Sequence, residues 1–244
     1  MKLALFLLAV LAATQAAANC RLSLAIALDV SGSVDQTEYR LQLEGLAEAL
    51  QDPEVEEVLL AYPGAPVAMA VYEWSASSYQ RLIQDWVLIS DRATLLAVTD
   101  RLARTEREPA PEPTGLAAAL EYGKRLIERG PACWDQTLDV SGDGKNNDWP
   151  TPQRLRSEGR LAGLRINALV VVLRRDEARI VGVETGELPA YFSAHIIQGP
   201  NAFIEVADGF EDYARAMKRK LLKELAVQPL GALTDPGEKN FRRF

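Results

Sequence analysis

The chain has 244 residues, 48% of them hydrophobic and 25% charged, enough for one globular domain with a substantial core. Its formal net charge of −7 argues against nucleic acid or an anionic membrane surface as partner. A single histidine, His195, rules out most chemistry that needs several; a Ser-His-Asp triad would have to use it, and nothing around it resembles a nucleophile elbow.

Residues 1–18 read as a secretory signal peptide: Lys2, an apolar run from Leu3 to Ala13, and a small-residue cleavage site at Ala16-Ala17-Ala18. The run is too short to span a membrane, and no later stretch is long and apolar enough to do so. A lipidated Cys20 is disfavoured by Asn19, where a small residue is expected. The mature protein is therefore expected to be periplasmic or secreted, where disulfides persist. The domain is expected to occupy residues 19–227, followed by an unfolded tail from 228 to 244 containing Pro229, Gly231, Pro236 and Gly237.

The first element is a short apolar run from Leu24 that reads as a fully buried strand. It ends in Asp29, Ser31 and Ser33, spaced by two, which turns three oxygen-bearing side chains to one side. Asp35 to Leu50 has a helical stripe of Leu43, Leu46, Ala47 and Leu50. The apolar run Val55 to Ala61, bracketed by Pro53 and Pro63-Gly64, reads as part of a loop. A second strand, Val67 to Tyr72, leads into Glu73-Trp74-Ser75. A third, Leu82 to Ile89, follows a link so short that one antiparallel strand is expected. Asp91 to Arg104 is helical, the stretch to Pro113 is a loop, and Thr114 opens a helix stopped by Gly130-Pro131.

A fourth strand, Thr137 to Val140, runs into Ser141-Gly142-Asp143-Gly144-Lys145-Asn146-Asn147-Asp148. Then come a helix from Pro152 to Ala162, a fifth strand from Leu164 to Leu173, and Arg174 to Pro200, in which only a short helix at Leu188 to His195 is legible. Ala202 to Ala207 is the sixth strand and Phe210 to Val227 the closing helix. Strands alternating with helices predict an α/β fold with a mostly parallel sheet covered on both faces. Ligands of such sheets bind at the carboxyl ends of the strands, near a switch point in strand order. That rule gathers Asp29, Ser31, Ser33, Glu73, Trp74, Thr114 and Asp143 on one rim. One carboxylate and two hydroxyls from the first loop, with a second carboxylate from Asp143, are hard oxygen donors of the kind Mg²⁺ takes.

The Asp29-x-Ser31-x-Ser33 loop, a later Thr and Asp143 resemble the metal-ion-dependent adhesion site of von Willebrand factor A-type domains. Ser-Gly-Asp-Gly-x-Asn-Asn and Val71-Tyr72-Glu73-Trp74 look like one group within that family, uncharacterised secreted bacterial proteins of unknown function. The family usually has Gly before the Thr and three residues after it. Here those are Pro113 and Ala117, so Thr105 stands beside Thr114 as a second candidate. The resemblance implies a Rossmann-like six-stranded fold that binds rather than catalyses. It implies a divalent cation (Mg²⁺, or Mn²⁺ or Ca²⁺) on Asp29, Ser31, Ser33, Thr114 and Asp143, and an acidic side chain of a protein partner completing the coordination. Glu73, Trp74 and Trp149 are the candidate partner contacts beside the ion. The family's strand order, 3-2-1-4-5-6, sets the first and fourth strands side by side. Cys20 precedes Asp29 by nine residues and Cys133 precedes Asp143 by ten, which with that order implies a Cys20–Cys133 disulfide.

Other readings compete. A metal-assisted hydrolase would need a general base beside the site, and none is evident. An envelope structural protein could keep the fold without the metal. Asp139-x-Ser141-x-Asp143-Gly144 mimics the start of an EF-hand loop, but the twelfth position is Pro150, not Glu, and the loop follows a strand. Asp139 itself could support the site or simply end its strand.

Overall fold

The computed structural model describes residues 20–172 and 184–226. The expected leader (1–18), the expected tail (228–244) and the stretch 173–183 lie outside the described residues. In chain order the elements are β1 (Leu22–Asp29), α1 (Gln36–Gln51), α2 (Pro53–Leu60), β2 (Val67–Trp74), β3 (Gln80–Ile89), α3 (Arg92–Arg104), α4 (Leu116–Glu128), β4 (Asp135–Gly142), α5 (Pro152–Ser157), β5 (Arg165–Val172), α6 (Glu184–His195), β6 (Ile204–Asp208) and α7 (Tyr213–Leu225). The six strands form one sheet in the order β3-β2-β1-β4-β5-β6. Among the described residues, β2–β3 is the only antiparallel pair of these strands. This is the Rossmann-like architecture that the resemblance implies.

Alternation along the buried strands sorts the core into two layers. On one face Leu24, Ile26 and Leu28 of β1 pack with Leu43 and Leu46 of α1, Val98 of α3 and Leu221 of α7. On the other, Ala25 and Ala27 lie with Ala70, Leu138 and Val140 beneath Leu116, Ala119 and Leu120 of α4. Alanines there let α4 settle close to the sheet. Gly123 takes the approach furthest: a Cβ on it would lie 2.6 Å from both Leu138 Cδ1 and the Tyr72 hydroxyl, which donates 2.7 Å to the Ala119 carbonyl of the same helix.

Helix starts follow local chemistry. Asp35 closes a capping box on α1 with Glu38. The run Val55 to Ala61, expected within a loop, is instead α2. Asp52 caps it through the Glu54 N–H, Pro53 occupies its first turn, and Val55 and Leu59, four apart, are its buried face. α5 is shorter than the expected Pro152–Ala162, because Gly159 and Gly163 follow it with φ of +68° and +78°, a conformation no helix continues through. β3 begins two residues before its expected start and α6 four before Leu188.

The reversal of strand order falls at β1, which pairs with β2 on one side and β4 on the other. The carboxyl ends of β1 and β4 therefore open onto the same switch point. At the opposite rim Cys20 and Cys133 are joined by a disulfide with Cα atoms 4.7 Å apart, tying the entry of β1 to that of β4. Among the described residues no helix is long and apolar enough to cross a membrane.

Candidate metal centre

Asp29 is the last residue of β1 and only 1% exposed. Its backbone carbonyl accepts from Gln42 Nε2 at 2.8 Å, which holds the strand end against α1. Its Oδ1 accepts the Ser31 N–H at 2.9 Å, so the carboxylate itself folds the turn that follows. Its Oδ2 is buried without a hydrogen-bond partner. The Ser31 hydroxyl is buried 3.4 Å from that of Ser33 and 3.4 Å from that of Thr114. The Ser33 hydroxyl in turn donates to Asp143 Oδ1 at 2.7 Å, while Asp143 Oδ2 is a second buried oxygen without a partner. Three loops thus bring two carboxylates and three hydroxyls together.

Small residues make the convergence possible. A Cβ on Gly142 would sit 3.3 Å from Asp29 Oδ2, inside the cluster. Gly32 donates its N–H to the Glu112 carbonyl at 2.9 Å, and a Cβ there would meet Glu112 Cβ at 2.9 Å, so the first loop lies flush on the segment leading to Thr114.

The electrostatics are those of negative charge brought together out of water. Burial first, and the nearby Asp143 second, push the Asp29 carboxyl far above the usual carboxylate range. Burial also raises Asp143, against the hydrogen bond from Ser33. Among the described residues no group of three or more His, Cys, Asp and Glu side chains is gathered as metal ligands. The cluster instead combines two carboxylates with hydroxyls, all hard oxygen donors. Two orphaned carboxylate oxygens beside three hydroxyls fit a divalent cation of the Mg²⁺ type.

Of the two threonines, Thr114 reaches the cluster. Thr105 caps the end of α3 and donates its hydroxyl to the Arg101 carbonyl at 2.7 Å. Two of the expected partner contacts are corrected: Glu73 and Trp74 are both 0% exposed. Trp74 lies in the core layer under α4 and α6. Glu73 accepts from Tyr39 (3.0 Å), Tyr79 (2.7 Å) and Arg81 Nε (2.7 Å), a buried carboxylate satisfied inside the fold. β2 is flanked on both sides and covered on both faces, so its last residues stay in the core. Trp149 is 62% exposed, with the Arg154 guanidinium 4.8 Å from its ring centre. Asp139 faces away from the cluster: its carboxylate lies 2.5 Å from the buried ammonium of Lys220, which also bonds Glu224 at 2.6 Å. That placement removes it from any EF-hand loop.

The residues missed in the sequence are those that brace the loops. Asn147 Oδ1 accepts the Thr114 N–H at 2.7 Å, Asn146 Oδ1 accepts the Ala117 N–H at 2.9 Å, and Gln42 holds the Asp29 carbonyl. The two asparagines stood in a recognisable run after Asp143, but amide side chains pair with backbone from any direction and their targets are far along the chain.

Comparison with known proteins adds to this picture. Solved structures with a similar fold include proximal thread matrix protein 1 of the mussel byssus, at TM-score 0.58 and 14% identity over 85% of this chain and 48% of that one. Another structure of the mussel protein, with a zinc-occupied MIDAS motif, aligns at TM-score 0.55 and 15% identity over 84% of this chain and 46% of that one. The pilus adhesin SpaC of Lactobacillus rhamnosus GG aligns at TM-score 0.54 and 10% identity, over 84% of this chain and 30% of that one. An aerotolerance-related membrane protein of Bacteroides fragilis aligns at 0.53 and 13%, over 83% of this chain and 99% of that one. The chain thus spans about half the length of the mussel protein and less of the adhesin. A search of curated proteins gives no significant match. The profile of a family described as "Protein of unknown function (DUF1194)" matches residues 19–229, most of the chain. The protein belongs to the DUF1194 family and has a von Willebrand factor A-like fold.

Proposed function

We propose that this protein is an exported binding module that holds a divalent cation at the β1–β4 switch point and through it an acidic side chain of a protein partner. The observation that carries the reading is the pair of orphaned oxygens, Asp29 Oδ2 and Asp143 Oδ2, buried beside the hydroxyls of Ser31, Ser33 and Thr114. Asp29 and Asp143 would supply charge, and the hydroxyls neutral oxygen donors. A bound cation supplies net positive charge and a coordination position at which an external carboxylate makes a charge-assisted bond. The adhesin and mussel-byssus folds support binding as the class of activity, and the disulfide supports export. Trp149, exposed near the Thr114 loop, would add apolar contact area to the partner interface.

Calorimetric titration of the mature protein with Mg²⁺ and Mn²⁺ tests the reading. Asp29→Ala is expected to abolish binding with the fold intact. Equal affinity in wild type and variant would sink it. Binding rather than catalysis is the expected activity, so a hydrolase substrate screen should give the same negative result with and without chelator; turnover that chelator removes would favour a metal-assisted hydrolase.

A further inference from the structure

We infer that Asn147, with its neighbours Asn146 and Asp148, is the positioning device of this site, setting the place of the Thr114 hydroxyl relative to the Asp143 loop. The inference rests on the metal reading above and adds a residue to it. Thr114 is gripped at both ends of its backbone by one residue: Asn147 Oδ1 accepts its N–H at 2.7 Å, and the Asn147 N–H donates to its carbonyl at 3.0 Å. The next residue, Gly115, is the N-cap of α4 and has no side chain to cap with. The cap comes from across the rim, where Asn146 Oδ1 accepts the Ala117 N–H at 2.9 Å.

The same short run reaches a third segment. Asp148 Oδ2 accepts the Ser77 N–H at 2.7 Å, in the turn between β2 and β3, and Gly115 donates to Ser75 of that turn at 2.7 Å. A Cβ on Gly115 would lie 2.6 Å from the Ala76 carbonyl carbon, so Thr114 enters α4 pressed against this turn. Asn146 Nδ2 donates to the Asp148 and Pro150 carbonyls, at 2.5 and 3.3 Å, which closes the run on itself. Asp143 sits on the same loop, a few residues upstream. The segment that supplies one carboxylate therefore also holds the threonine: Asp143 accepts from the Ser33 hydroxyl at 2.7 Å, and the Thr114 hydroxyl lies 3.4 Å from that of Ser31. A loop with no such clamp would have to order Thr114 when the cation bound, and affinity would fall by that cost.

The test is Mg²⁺ titration of the mature protein in four forms: wild type, Asn147→Ala, Thr114→Val, and both together. Asn147 is exposed, so Asn147→Ala is expected to fold, as read by near-ultraviolet circular dichroism in chelator. It should bind Mg²⁺ about tenfold more weakly, in the range for residues that orient metal ligands. In the Thr114→Val background the same change should have no further effect, because Asn147 acts through that hydroxyl. Asn147→Asp, which keeps the accepting oxygen, should bind no more weakly than wild type. Asn147→Ser, whose oxygen is one bond short of the Thr114 N–H, is read in the same way if the alanine variant does not fold. Unchanged affinity in Asn147→Ala, or an equal loss in the Thr114→Val background, overturns the positioning role while wild-type binding leaves the metal reading standing. Wild-type protein that binds no Mg²⁺ overturns the metal reading and the positioning role with it.

Discussion

At Asp29, burial and the proximity of Asp143 act in the same direction, holding the carboxyl protonated well above its ordinary range. An acid whose folded pKa is raised contributes stability below its unfolded pKa, near 3.9, and that contribution is lost as pH rises through the folded value. Chelated wild-type protein should therefore lose stability between about pH 4 and pH 8, by on the order of a few kcal/mol. The substitution Asp29→Asn would keep an acceptor for the Ser31 N–H but carry no charge, so the melting temperature of that variant should change less over the same window. Saturating Mg²⁺ should restore the wild type at high pH and leave the variant unmoved; parallel melting curves for the two chelated proteins would contradict this. Glu73 is the contrasting case. Its charge is paired with Arg81 and bonded by two tyrosines, so Glu73→Gln should destabilise by about 2–4 kcal/mol in urea denaturation. A residue that merely met a partner would leave stability unchanged.

Among the elements, α4 decides how tightly the sheet is covered behind the site. Ala25, Ala27 and Gly123 let it approach β1 and β4, and the Thr114 loop is carried at its start. Gly123→Ala should gain up to about 1 kcal/mol of helix propensity, yet its methyl would press on Leu138 and Tyr72. Overpacking of that kind costs about 1–3 kcal/mol, so a net fall in the urea midpoint with unchanged slope is expected. A rise in the midpoint would mean that α4 can lift away from the sheet. The strands and the one antiparallel pair were legible, because runs such as Leu24 to Leu28 and Leu169 to Val172 carry a strong pattern and the β2–β3 link is short; the order of the strands in the sheet came from the family resemblance. α2 was obscured because it is only eight residues long and two of them, Val55 and Leu59, are fully buried, although Asp52-Pro53 marked its start. Asp29, Ser31, Ser33 and Asp143 could be gathered from the sequence because each stands at or just after a strand end. Glu73 and Trp74 also stand at a strand end, and their burial depends on what covers β2 from elsewhere in the chain.

Across the whole molecule, the two ends of the sheet serve different purposes. The carboxyl rim gathers loops whose polar groups face one another. The opposite rim is closed by Cys20–Cys133, which links positions 113 residues apart. Bridging so long a loop restricts the unfolded chain, by up to about 4.7 kcal/mol in the chain-entropy model. Both half-cystines lead directly into strands that end at the candidate metal centre, but the eight residues of β1 and the eight of β4 separate them from it. Each strand is held by a parallel neighbour along its length, so losing the bridge should free the first residues of β1 without moving Asp29. The double variant Cys20→Ser, Cys133→Ser should therefore lose about 2–5 kcal/mol in denaturant while binding Mg²⁺ with wild-type affinity in calorimetry. Reductant should lower the melting temperature of wild-type protein and leave that of the double variant unchanged. A variant as stable as wild type would mean that the pairing of β1 with β2 and β4 already fixes the N-terminal edge. Weakened Mg²⁺ binding in a folded variant would show instead that strain at one rim is carried along the two central strands to the other.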